Sequence, residues 1–159
     1  TGANPVLAAI TGTANQITIT NAAGSITLSA PQNLHSAATP SFAGGTFAGD
    51  TELKVLNLTD QTELTIATGA ITATQSYHNV DTEADGATDD LDTINGGLHG
   101  DILVIRPNNA ARTVVAKHGT GNLNLAGGAD FTMDEDDDYL TLVYDGALWQ
   151  QIGRSENHA

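Results

Sequence analysis

Gly100-Asp101-Ile102-Leu103-Val104-Ile105-Arg106 and Leu140-Thr141-Leu142-Val143-Tyr144-Asp145-Gly146-Ala147-Leu148-Trp149-Gln150-Gln151-Ile152 decide the fold of this chain. The first is a short apolar run with β-branched residues, bounded by Gly100 and Pro107. That length and those stops predict a buried strand rather than a helix. In the second, Leu140, Leu142 and Tyr144 alternate with Thr141 and Val143, the period of a strand with one face buried. Asp145-Gly146 tolerates the positive φ of a tight hairpin, and residues 147–152 run back. The single Trp of the chain, Trp149, stands on the return strand, where it covers the end of a core otherwise short of large side chains.

Working outward, strand-like pieces recur at close spacing. Residues 16–20 and 25–29 alternate strictly around Asn21-Ala22-Ala23-Gly24 and predict a hairpin. Two five-residue strands do not stand alone in water, so this hairpin requires a surface to lie on. Pro31 and Pro40 bracket an aperiodic, extended connector, and Phe42 and Phe47 flank a Gly pair as anchors for a chain crossing a neighbour. Farther on, Leu53, Val55, Leu56 and Leu58 predict one strand, Leu64 and Ile66 another, and Ile71 a third after a Thr68-Gly69 turn. Residues 112–117 and 122–125 add two more. With no amphipathic helix, the fold class is all-β. We expect a short-stranded β-sandwich or β-barrel-like C-terminal domain over residues 51–159. An extended, hairpin-containing N-terminal arm over residues 1–50 precedes it and serves trimerisation or attachment.

Composition narrows the function. Aromatic residues are 4% of the 159, and alanine supplies much of the 40% apolar content. Small side chains bury little area each, so such a chain gains by burying surface against copies of itself. The net charge of −14, with five Lys plus Arg, disfavours nucleic acid, because every phosphate contact needs a cation. No apolar run reaches the roughly 20 residues of a membrane-spanning helix, and no cysteine is present to form a disulfide. Thr1 reads either as the residue left after removal of an initiator Met or as the edge of a fragment, and no secretory signal is read at it.

Two modules then carry a resemblance. The run from Thr13-Ala14-Asn15-Gln16-Ile17-Thr18 through Gly24-Ser25-Ile26-Thr27-Leu28-Ser29-Ala30-Pro31-Gln32-Asn33-Leu34-His35 to Ala38-Thr39-Pro40-Ser41-Phe42-Ala43-Gly44 resembles a recurring segment of tailed-phage fibre proteins. Asp89-Asp90-Leu91-Asp92-Thr93-Ile94-Asn95-Gly96-Gly97, with Gly100-Asp101-Ile102-Leu103 and Tyr144-Asp145-Gly146 before Trp149, is similar to another module of phage structural proteins. The resemblance implies a homotrimeric, β-rich virion protein exposed on the particle exterior, assembled in the host cytoplasm, with other virion proteins and a host-surface glycan or protein as partners. Tail fibre or fibre tip acting in host attachment is the first reading. A capsid decoration protein that stabilises the shell is the alternative.

No catalytic or cofactor-binding residue is assigned. His35, His78, His99, His118 and His158 stand in turn or terminal contexts, none beside a nucleophile elbow. Glycoside cleavage by paired carboxylates needs an aromatic-lined cleft, which one Trp and three Tyr do not supply. We therefore expect no enzyme activity. One spacing points to metal. Asp81, Glu83, Asp85, Asp89 and Asp92 occupy positions 1, 3, 5, 9 and 12 of a twelve-residue loop with Gly86 at position 6 and the Ala87 carbonyl at 7. That is EF-hand calcium spacing, although position 12 is Asp and no helix flanks it. A second acidic run, Asp134-Glu135-Asp136-Asp137-Asp138, has Tyr139 where the glycine would stand. A solvated turn between strands is the simpler reading of both runs, and neither is assigned as a metal site.

Overall fold

A computed structural model describes residues 17–22, 25–29, 52 and 54–157. The chain divides into two units, Thr1–Leu53 and Lys54–Ala159. In the first, β1 (Thr18–Ala22) and β2 (Ser25–Ser29) pair antiparallel, with Ile19 opposite Leu28 and Ala22 opposite Ser25. The hairpin read from the sequence is present, with its first strand running two residues farther than the alternation indicates. The connector and the two phenylalanines lie outside the described residues.

The regular structure of the second unit is almost wholly strand. In chain order it contains β3 (Thr62–Thr65), β4 (Ala70–Thr72), β5 (Tyr77–Asp81), β6 (Thr88–Leu91) and β7 (Thr93–Asn95). There follow β8 (Ile102–Pro107), β9 (Thr113–Ala116), β10 (Leu123–Asn124), β11 (Phe131–Met133), β12 (Tyr139–Tyr144) and β13 (Trp149–Ser155). Short 3₁₀ turns occur at Glu83–Asp85 and Ala126–Gly128. The strands form a six-stranded sheet in the order β10-β13-β12-β8-β5-β3, a three-stranded sheet β11-β9-β6 and a pair β4-β7. Inward residues of all three, among them Val80, Ile105 and Leu140, Val114 and Phe131, and Ile71 with Ile94, form one apolar cluster. This is the all-β sandwich that the alternation points to.

The pairings have an order of their own. β3 lies parallel to β5 and β5 parallel to β8, β4 is parallel to β7, and β6 is parallel to β9. The chain thus winds in successive coils, each laying a strand beside the strand one coil earlier. Parallel neighbours need a connection of about a dozen or more residues, and here intervening strands of the other sheets supply it. Antiparallel pairing enters late in the chain, where β12 lies between β8 and β13 and β11 pairs with β9.

Two sequence expectations are corrected. Residues 54–61 contain no strand, and Val55 and Leu56 are 79% and 70% exposed. Among the described residues, no strand pairs with this apolar segment. Ile102 is 50% exposed, so β8 alternates rather than being buried on both faces: Leu103 and Ile105 point inward, Ile102 outward.

Candidate functional site

The return strand builds the most developed site. Trp149 is 1% exposed, and its indole N–H donates to the Ile94 carbonyl at 2.9 Å. Asn122 holds the same strand, accepting from Ile94 N–H at 2.9 Å and donating to its carbonyl at 2.8 Å. The Trp149 N–H in turn donates to the Asn122 carbonyl at 2.8 Å. Tyr144 packs against the indole with ring centroids 5.0 Å apart. A Cβ on Gly97 would come within 2.7 Å of the indole and 2.9 Å of the Tyr144 ring, so only glycine lets this loop cross them. Next to it the Asp101 carboxylate accepts from Leu98 N–H at 2.8 Å and closes the loop.

Above this corner lies a recess of about 260 Å³, lined by Thr74, Gln75, Ser76, Gly96, Asp101 and Trp149, with Ile102 and Leu103 at its apolar side. Hydroxyls, an amide and one carboxylate over an apolar wall suit a small polar molecule with both hydrogen-bonding and C–H surface. Among the described residues no histidine lines the recess. The hairpin beside it is closed by Asp145, whose carboxylate accepts from Ala147 and Leu148 N–H at 2.9 and 2.8 Å and from the Gln150 amide at 2.6 Å. The Leu148 N–H foremost, with Gln150 and Ala147, pulls the Asp145 carboxyl down to about 2. Gly146, at φ +98°, supplies the positive φ of the turn.

A second polar group sits on the outward face of the six-stranded sheet. Arg106 lies 5.9 Å from the centre of the Tyr139 ring and donates to its hydroxyl at 3.3 Å. The Tyr77 and Tyr139 hydroxyls are 3.5 Å apart. Burial first, then the neighbouring hydroxyl, raises the Tyr77 phenol. Hydrogen bonds from Tyr77 and Arg106 lower that of Tyr139.

The calcium-like spacing does not become a calcium-like loop. Asp81, 5% exposed, ends β5 in an ion pair with Arg112. Burial raises its carboxyl, but Arg112 and the Thr82 N–H outweigh burial and hold it below the ordinary range. Asp85 also pairs with Arg112, at 2.8 Å. Residues 88–91 form β6, which the acid-rich sequence conceals, and a strand directs alternate side chains to opposite faces. Asp89 instead accepts from Glu83 N–H at 2.7 Å and from Asp90 N–H at 2.9 Å. Among the described residues no group of three or more His, Asp or Glu is placed to hold an ion. In the second run Asp138, 1% exposed, accepts from the N–H groups of Asp134, Glu135 and Asn157 and folds the acidic turn around itself.

One histidine is also placed differently from the sequence reading. His78 is fully buried in the middle of β5, not in a turn. Its Nε2 accepts from Thr74 and Gln75 N–H at 3.1 and 3.2 Å, which leaves the proton on Nδ1 to donate to the Thr62 carbonyl at 3.1 Å. The ring ties β3 and the loop before β5 together. The Thr62 hydroxyl also lies 2.9 Å from Nδ1.

The family model described as phage depolymerase C-terminal beta sandwich domain matches residues 67–150. No curated protein and no solved structure matches the chain. The matched span runs from the turn before β4 into β13, taking in Asn122, Gly97, Asp101, Trp149 and the recess, while residues 13–44 fall outside it. Covering more than half of the 159 residues, the match places the chain in the family of phage depolymerase C-terminal beta sandwich domains.

Proposed function

We propose that this chain is part of a homotrimeric phage tail fibre or fibre tip that acts in host attachment. The family match over residues 67–150 carries the reading, since it belongs to a domain class of phage appendages. The match is to a β-sandwich and not to a catalytic domain, and the reading assigns the sandwich a binding and scaffolding role. The recess beside Trp149 supports it, with Thr74, Ser76 and Asp101 offering hydrogen bonds to the hydroxyls of a host-surface glycan. On this reading the protein sits on the particle exterior beside other virion proteins. Capsid decoration, the alternative role, draws no support from the family match.

Antibody labelling of intact virions tests the assignment. Gold at the distal end of the tail is the expected result. Gold distributed over the capsid shell would replace attachment with decoration.

A further inference from the structure

We infer that residues 54–58 of one chain form a strand on the free edge of β3 in a second copy. The inference rests on the self-association proposed above and says where it is made. β3 is the last strand of the six-stranded sheet. It is bonded to β5 on one side, and no strand among the described residues pairs with the other. A free edge presents a row of unpaired N–H and C=O groups, a template for another extended segment. The coil order makes the edge specific. β3 and β4 belong to the first coil, so what β5 receives from β3 and β8 from β5, β3 receives from nothing in its own described chain.

The segment that fits this edge lies just before it. Residues 54–58 have no strand partner among the described residues, and Val55 and Leu56 are 79% and 70% exposed although both are apolar. Valine in particular is a strong strand former. The segment cannot serve its own β3 as the next parallel strand. Only residues 59–61 separate Leu58 from Thr62, whereas a parallel neighbour needs a connection of about a dozen residues or more. Folding back as an antiparallel strand is opposed by Asp60, whose carbonyl accepts from the Gln75 amide at 2.8 Å and fixes the chain where it enters β3. A second copy has neither restriction. Charge also favours it: the segment carries Lys54, one of only five cations in a chain of net charge −14, and β3 carries Glu63. Each copy donates one segment and accepts one, a head-to-tail contact that forms a ring where the rotation between copies closes.

The absence of cysteine in the sequence makes the contact directly readable. Leu56→Cys is introduced in one full-length preparation and Glu63→Cys or Thr65→Cys in another carrying a different tag. The two are mixed, refolded together and mildly oxidised, with Thr132→Cys on the outer strand β11 as the control acceptor. The expected result is a disulfide between the two tags for 56 with 63 or 65, at least about tenfold above the control, because adjacent strands bring Cα atoms within bridging range. Leu56→Pro, at a position without a strand partner among the described residues, is expected to leave the melting of the sandwich unchanged while lowering the mass in solution. A trimer by sedimentation in which the thiols introduced at positions 63 and 65 stay free to alkylate overturns this inference and leaves the trimeric reading intact. A monomer by sedimentation overturns both.

Discussion

The hairpin β1–β2 and the sandwich of residues 54–157 are both built from short alternating strands, yet they reach stability differently. Every residue of β2 is exposed, and Ile17, Ile26 and Leu28 show 47%, 50% and 57% of their surface. In the sandwich, Leu103, Ile105, Leu140 and Leu142 are at most 1% exposed. The same period-two pattern therefore marks a face that is buried in one case and, among the described residues, left exposed in the other. Alternation shows that a face is made for burial; it does not say which chain buries it. A two-stranded hairpin is marginal by itself in water, so under the proposed trimer the first pattern serves assembly and the second folding.

Substitutions can break that division of labour, and the largest effect belongs inside the sandwich. Trp149→Ala removes the indole from beneath Gly97 and Tyr144 and its bond to the Ile94 carbonyl, and should cost about 3–5 kcal/mol in denaturant unfolding. A loss below about 1 kcal/mol would mean that the corner is not part of the folded core. His78→Leu keeps the bulk but leaves the N–H groups of Thr74 and Gln75 without their acceptor, for an expected loss of about 2–3 kcal/mol.

A smaller effect carries a pH signature. The Asp145 carboxyl, held at about 2 against an ordinary 3.8, favours the folded state above pH 3.8, and that contribution fades as pH falls through 2. Asp145→Asn should lower the melting temperature at neutral pH and flatten its decline in this acid window. An unchanged acid profile would remove Asp145 from the hairpin's stability. The smallest effect on folding is expected at the exposed hairpin. Ile26→Asp with Leu28→Asp should leave sandwich unfolding within about 0.5 kcal/mol of the parent while weakening association. Loss of the sandwich transition would erase the contrast between the two regions.

Legibility in the sequence follows how much of each inward face is aliphatic. β8 and β12 fill their inward positions with Leu103, Ile105, Leu140 and Leu142, and the pattern is plain. β5 fills one of its inward positions with His78, and β6 sets Leu91 among aspartates, so neither displays an alternation that can be read. Parallel stacking is invisible because register depends on partners 16 or 27 residues away, as Thr62 to His78 and His78 to Ile105. At the recess, the lone Trp149 is legible as the cover of the core's end, and the structure buries it there. Asn122 and Gly97 are not legible in the same way, although an asparagine between two strands and a glycine pair ahead of an aromatic corner are the signals that could find them. The acid spacing at 81–92 hides β6, because spacing specifies a loop only where the backbone curls, and residues 88–91 are an extended strand.

Sedimentation equilibrium of the full-length chain tests the division between folding and assembly most directly. A mass near three times the 16.3 kDa of the chain, reduced by the Ile26→Asp/Leu28→Asp pair without loss of the sandwich transition, is the predicted result. A compact 16.3 kDa monomer with a single unfolding transition would contradict it.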